Sequence, residues 1–359
     1  MKIRLTVSPQ AERYVRRDAP VEVRRMAARG ALPFPPGELA TVLFVLLHDL
    51  DDETKALARE SLEGLPRSLV LAVLSGPAHP AVLSYLGRVH EGDAELMEKL
   101  ALNAAADDTT VAWLAATPHR RVVEIVSNNQ QRMLRCPDIV EALGSNPLTG
   151  RSVIDRILSF LGVHKGKAEE PDETSQIEAL PPTEEVTDAA ALAALRAILG
   201  DDVGDFAKEL LEETGGELDD AAQRNLYALI QTLSVFQKVK LARMGNKEAR
   251  GLLIRDRNKI VAAAAIRSPK VQDNEVESYA KARNLSDDVL RIISSNREWT
   301  RSYSVKLNLT MNPKCPVSTA VKFLNYLQEK ELRSIMKSKD VPSVISTHAR
   351  RLLQKKGKL

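Results

Sequence analysis

Apolar residues recur at helical spacing along most of the chain. In DDAAQRNLYALIQTLSVFQKVKLARMG, residues 219–245, the apolar positions fall three or four residues apart, which places them on one helical face. These positions are Leu226, Leu229, Ile230, Leu233 and Phe236. DAAALAALRAILG and DDVGDFAKELLEET, residues 188–200 and 201–214, also favour helices, with aspartates placed to cap them. No convincing alternation of period two occurs, so the pattern predicts an all-α chain.

A proline motif stands in front of several apolar segments. LPFPPG contains Pro33 and Pro36, SGPAHP contains Pro77 and Pro80, and MNPKCP contains Pro313 and Pro316. SNPLTG has a single proline, Pro147, and Pro269 lies 44 residues before Pro313. Proline suits the first turn of a helix and disfavours helix in the residue before it. We therefore expect each motif to separate two helices, with the preceding Asn or Ser ending one helix and capping the next.

A longer match indicates an internal duplication. VVEIVSNNQQRML, residues 122–134, aligns with VLRIISSNREWTR, residues 289–301, and the SNP and MNP motifs follow in nearly the same register. Units of about 40–47 residues with two or three short helices each fit this pattern. Such a unit cannot bury its apolar face alone, so the units are expected to stack over a shared core. The fold predicted is an all-α solenoid of degenerate repeats in two lobes.

The lobes are predicted to be separated by an acidic segment. HKGKAEEPDETSQIEALPPTEEVTDA has three prolines and few apolar residues, so it cannot offset its ordering entropy by burial. The sequence thus predicts a helical-repeat lobe over residues 1–162, a flexible linker over 163–189 and a basic helical-repeat lobe over 190–359.

Two phrases carry a family resemblance. VKLNLTMNPKCPVSTAVKFL and EALGSNPLTGRSVIDRILSFL resemble HEAT and leucine-rich-repeat-variant units, over residues 20–162 and 238–353 in degenerate form. GNKEARGLLIRDRNK, residues 245–259, is similar to a phrase of uncharacterised bacterial helical-repeat proteins. The resemblance implies an α-solenoid and no particular reaction. Some leucine-rich-repeat-variant proteins hold an iron–sulfur cluster on grouped cysteines, but this chain has only Cys136 and Cys315, so no cofactor is expected.

Charge is distributed unevenly along the 359 residues. Residues 163–222 contain 4 Lys and Arg against 17 Asp and Glu, whereas residues 223–359 contain 28 against 11. The acidic segment could therefore dock on the basic lobe of the same chain. The chain has no uncharged apolar run of membrane-spanning length and no apolar secretory leader, so a cytoplasmic location is expected.

Catalytic chemistry is not indicated. Each cysteine follows a basic residue and precedes a proline, a setting that suits either a reactive thiolate or a small side chain that fills a helix joint, and the joint is favoured. The six histidines form no metal-binding motif, and the Asp-Asp pairs precede apolar helical runs, as capping residues do. No phosphate-binding glycine loop or nucleophile elbow occurs. We expect no enzyme activity and no metal site.

The basic lobe is the strongest functional signal. Its cations and one interleaved aromatic residue are the predicted partner-binding residues: Lys247, Arg250, Arg255, Arg257, Lys259, Arg297, Trp299, Arg301 and Lys314. The leading hypothesis is a bacterial cytoplasmic scaffold or adaptor that presents a curved surface to a protein partner. The alternative is nucleic-acid binding by the basic lobe, of the HEAT-like DNA-binding or repair type.

Overall fold

A computed structural model describes residue 5, residues 7–163 and residues 220–356 of the chain. This described part contains 22 α-helices, one short 3-10 helix and no strand, so the all-α prediction is confirmed for it. No helix in these ranges has both the length and the apolar character needed to cross a membrane. The predicted helices over 188–200 and 201–214, and residues 164–189 of the predicted linker, lie outside the described residues.

The chain divides into two compact units, Met1–Thr149 and Gly150–Leu359. The sequence prediction placed residues 151–162 in the first lobe. The helix over Arg151–Phe160 lies in the second of these two units. Its buried face, which includes Ile154 and Ile157, packs on the helix over Lys259–Ile266. Asp155 also accepts a hydrogen bond from Arg267. Contacts made far away in the sequence therefore set this boundary.

The first unit is built from eleven described helices. They are α1 (Pro9–Val15), α2 (Val21–Ala28), α3 (Pro36–Leu46), α4 (Asp52–Glu63), α5 (Arg67–Ser75), α6 (Pro80–Val89), α7 (Ala94–Leu102), α8 (Asp108–Ala116), α9 (Arg120–Asn128), α10 (Gln130–Arg135) and α11 (Pro137–Ser145). The main contacts join helices no more than three places apart in chain order, such as α5 with α7 and α8 with α11. The packing of α6 is close: a Cβ at Gly87 would lie 2.5 Å from the side chain of Leu100 and 3.4 Å from that of Trp113.

The second unit also packs mainly through helices close in chain order, with the contact between residues 151–160 and 259–266 as an exception. Its helices are α12 (Arg151–Phe160), α13 (Asp220–Thr232), α14 (Val235–Met244), α15 (Lys247–Leu253), α16 (Lys259–Ile266), α17 (Asp273–Lys281), α18 (Asp287–Ser295), the 3-10 helix (Trp299–Arg301), α19 (Tyr303–Met311), α20 (Val317–Leu324), α21 (Glu329–Lys337) and α22 (Ser343–Lys355). Helix α16 is central, because it contacts α12, α14, α15 and α18. Residues 260–266 of α16 are all buried, and the four alanines among them let neighbouring helices approach closely.

Local signals account for most helix starts. Pro36 and Pro80 are the first residues of α3 and α6, as the proline motif predicted. Asp51 and Asp107 cap α4 and α8 through their carboxylates, so the capping interpretation of these two pairs is confirmed. The apolar face over 219–245 is divided between α13 and α14. The break follows from a capping box at Ser234, whose side chain accepts from the Gln237 amide while the Gln237 side chain accepts from the Ser234 amide.

Candidate functional site

Three asparagines make the same set of hydrogen bonds at the joints between helices. Nδ2 of Asn146, which ends α11, donates to the carbonyls of Ala115 and Thr117 at 2.8 and 2.9 Å. Its Oδ1 accepts from the amide of Leu148 at 2.9 Å. In this way one buried side chain satisfies two carbonyls at the end of α8 and orders the turn that contains Pro147.

The same contacts recur in both units. Asn312 ends α19, and its Nδ2 donates to Ala280 and Ala282 at 2.9 Å each. Asn103 ends α7, and its Nδ2 donates to Leu74 and Gly76 at 2.8 and 2.9 Å. In each case the acceptors are the next-to-last residue and the C-terminal cap of an earlier helix. We call these contacts the asparagine clamps.

The clamps correct one expectation. Asn146 and Asn312 do end their helices, but they do not cap the next ones, which are preceded by Gly150 and Pro316. Their amides instead bind a helix about 30 residues earlier. The SNP and MNP motifs identify Asn146 and Asn312 in the sequence, but they do not indicate which backbone groups the asparagine side chains bind. Asn103 is not followed by a proline, so no motif points to it.

Arg250 cannot belong to a partner-binding surface as predicted. Its side chain is fully buried, and its guanidinium forms an ion pair with Glu275, whose side chain is 1% exposed. Nη1 also donates to the carbonyl of Gly245 at 2.9 Å, and Tyr279 donates its hydroxyl to Glu275 at 3.0 Å. Burial and the nearby carboxylate raise the pKa of Tyr279, which keeps the phenol protonated. The cluster holds α15 to α17 from inside.

Several other cations of the basic lobe are also engaged. Nζ of Lys259 lies 3.8 Å from a carboxylate oxygen of Asp288. Lys314 is exposed, but its Nζ donates to the Leu285 carbonyl at 2.8 Å. Part of the positive charge of the basic lobe therefore forms contacts between segments of the second unit.

The remaining predicted residues lie at the surface. Five cations are exposed: Lys247, Arg255, Arg257, Arg297 and Arg301. Trp299 is half-buried in the 3-10 helix. None of the nine predicted residues lines either of the two grooves described next.

A groove with mainly cationic side chains lies elsewhere in the second unit. It encloses about 850 Å³ between α21 and the residue that follows α22. We call it the basic groove, and its lining residues are Gln328, Glu329, Lys330, Arg333, Ser334, Lys337 and Lys356. The sequence signal for it is the spacing of the cations in QEKELRSIMK, which places Lys330, Arg333 and Lys337 on one side of a helix.

A second groove lies in the first unit. It encloses about 690 Å³ and has a mixed lining in which apolar surface predominates. We call it the proline groove, and the lining residues that define it are Pro35, Pro36, Ala72, Pro77, Ala78 and His79. His79 caps α6 by accepting the Ala81 amide on Nδ1, which orients its ring at this joint.

The cysteines occupy different environments. Cys315 is buried in a joint beside an asparagine clamp, and burial raises the pKa of its thiol to about 12. The thiolate needed for nucleophilic chemistry is therefore disfavoured there. Cys136 is partly exposed and precedes α11. In the part of the chain that the structure describes, no group of three or more His, Cys, Asp or Glu side chains could hold a metal ion.

Comparison with protein-family models, with curated proteins and with solved structures gives no match for this chain.

Proposed function

We propose that the protein is a non-catalytic helical-repeat scaffold, an α-solenoid of HEAT-like units in two lobes, that binds a protein partner in the bacterial cytoplasm. The observation that carries this proposal is the recurrence of the asparagine clamp at Asn103, Asn146 and Asn312. A joint repeated in both units is what stacked, related units require. The preference of helices for chain neighbours supports the same arrangement.

The proline groove is the proposed partner-binding surface. Its lining combines proline rings and small side chains with a few polar groups, a mixture suited to an extended peptide segment that has apolar side chains. Two backbone segments meet there, the start of α3 and the joint before α6. The Asn103 clamp fixes the Gly76 carbonyl beside it, so this wall of the groove is ordered before a partner arrives.

A displayed library of random peptides, selected on the full chain, tests this proposal. Ala72 is an exposed residue of α5 that lines the groove, so Ala72→Trp would fill it. Ala56 is an exposed residue of α4 away from the groove, and Ala56→Trp is the matched control. Selected peptides should bind the wild type and Ala56→Trp equally and Ala72→Trp at least tenfold more weakly. The proposal fails if no peptide is enriched, or if Ala72→Trp binds normally.

Nucleic-acid binding is the second candidate function. One observation favours it: the cations of α21 and Lys356 converge on a single groove within residues 223–359, the segment with the large excess of positive charge.

A further inference from the structure

We propose that the basic groove binds the phosphate backbone of nucleic acid without reading its sequence. This inference rests on the second candidate function and moves the contact from the predicted residues around 247–259 to α21 and Lys356. Of the seven lining residues that the structure describes, four are cations and one, Glu329, is a carboxylate.

Helix geometry arranges the cations in a row. Lys330, Arg333 and Lys337 stand at positions i, i+3 and i+7 of α21. At a rise of about 1.5 Å per residue, they span about 10 Å along the helix axis. The opposite side of α21 buries Leu332 and Ile335. Because α21 packs along α22, the row is fixed by the core rather than by a flexible loop.

The lysines of the basic groove are available to a ligand. Lys330, Lys337 and Lys356 are exposed, and none forms an ion pair with a carboxylate in the described ranges. The first turn of α21 lies at the same groove, and Gln328 provides no side-chain cap there. The positive end of the helix dipole at this turn adds to the attraction for an anion. Glu329 and Glu331 in that turn oppose this in part, and Glu331 does not line the groove.

The lining favours a phosphate backbone over a folded acidic protein. A nucleic-acid strand offers one charge per nucleotide at regular intervals, so successive phosphates can meet successive cations of the row. Lysine binds phosphate as a point charge and needs no fixed partner geometry. Among the described residues, the lining contains no aromatic side chain for stacking on bases, and its neutral polar side chains are Gln328 and Ser334. Contacts to phosphates without base readout are what this composition provides.

The test compares two variants of the full chain that remove the same charge. The first is Lys330→Gln/Lys337→Gln/Lys356→Gln in the basic groove. The control is Lys247→Gln/Lys281→Gln/Lys322→Gln, three exposed lysines of the same unit outside it. Binding to a fluorescein-labelled 20-nucleotide single strand, and to the duplex of the same sequence, is followed by anisotropy from 50 to 200 mM NaCl. A polyglutamate peptide of the same net charge is measured in parallel.

For the wild type, four phosphate contacts predict slopes of log K against log salt of about −2.8 for the single strand and about −3.6 for the duplex. Affinity should then fall about 50-fold and about 150-fold across the salt range. The groove variant should bind at least tenfold more weakly at 50 mM NaCl, with a slope near −1, and the control variant should resemble the wild type. Unchanged thermal unfolding of both variants would show that the loss is not a folding defect.

Three outcomes overturn the inference in different ways. If the wild type does not bind either oligonucleotide, the second candidate function fails as well. If the wild type binds but the control variant loses affinity while the groove variant does not, the function stands and the site is wrong. If polyglutamate binds as tightly as the oligonucleotides and loses affinity in the groove variant, the groove takes acidic protein segments instead.

Discussion

Arg250 and Glu275 form a two-point ion pair that is closed to solvent, with Nε 3.1 Å from Oε2 and Nη2 bonded to Oε1. The pair joins α15 to α17, 25 residues apart in the sequence. An arginine within a dense run of cations is therefore an internal structural residue.

Breaking this pair should be costly, and replacing the whole cluster should not be. Arg250→Met leaves the Glu275 carboxylate buried without its cation, so the free energy of unfolding should fall by about 3–5 kcal/mol. The combined Arg250→Met/Glu275→Leu/Tyr279→Phe variant removes every charged or hydroxyl group of the cluster and should recover most of that loss. Urea unfolding of both variants measures the difference. Equal destabilisation of the two would show that the polar groups stabilise the native state as a set.

Each asparagine clamp should contribute substantially to the stability of the fold, although it is a single side chain. Asn146→Ala and Asn312→Ala each leave two carbonyls at the end of a helix without a donor, and both sites are buried. We expect a loss of about 2–4 kcal/mol in the free energy of unfolding for each, by urea unfolding. Asn325→Ala, at an exposed helix end, is the control and should cost less than about 0.5 kcal/mol. A small effect at Asn146 would mean that water replaces the clamp.

Acid should weaken the link between Arg67 and Asp93. The Asp93 carboxylate accepts from the Arg67 guanidinium and from the amides of Leu96 and Glu95, which lowers its pKa to about 2 from an ordinary value of 3.8. Because the unfolded chain takes up this proton at higher pH, the contribution is complete above about pH 4 and is lost as the pH falls through about 2.

Melting temperatures measured from pH 7 to pH 2 test this sign. Asp93→Asn should be less stable than the wild type at pH 7, and the difference should shrink as the pH falls below 4. Arg67→Gln should remove the larger part of the same pH-dependent component, because the hydrogen bonds from the amides of Leu96 and Glu95 remain. A difference that stays constant down to pH 2 would exclude the ion pair as the source.

The two thiols should react at different rates. Cys136 is partly exposed, whereas Cys315 is buried with a raised thiol pKa. A chromogenic disulfide reagent at pH 8 should modify Cys136 in the native protein and reach Cys315 only as the chain unfolds. In a Cys136→Ser variant, labelling should be at least a hundredfold slower than in the wild type and should speed up with added urea. Rapid labelling of that variant would show that the joint opens in the native state.

Much of the local structure is determined by the sequence itself. The apolar spacing predicts the helices, and Pro36, Pro80, Asp51 and Asp107 mark helix starts as expected. These signals act over a single helical turn, through a fixed φ or a side chain bonded to a nearby amide, so neighbouring residues suffice to reveal them. The aligned segments over 122–134 and 289–301 also agree in structure, because each is a helix ended by Asn129 or Asn296 and followed by a short helical turn.

Only the tertiary structure decided which side chains face solvent, which face one another and where the units divide. Arg250 and Lys330 are both cations on short helices, yet Arg250 forms a buried ion pair with Glu275 whereas Lys330 lines the basic groove. The carbonyls bound by Asn146 lie about 30 residues earlier in the chain, and α12 packs against α16, which is more than 90 residues away in the sequence. The helical period of the sequence predicts which residues share a face of a helix. Whether that face is buried depends on the packing of helices that are distant in the sequence.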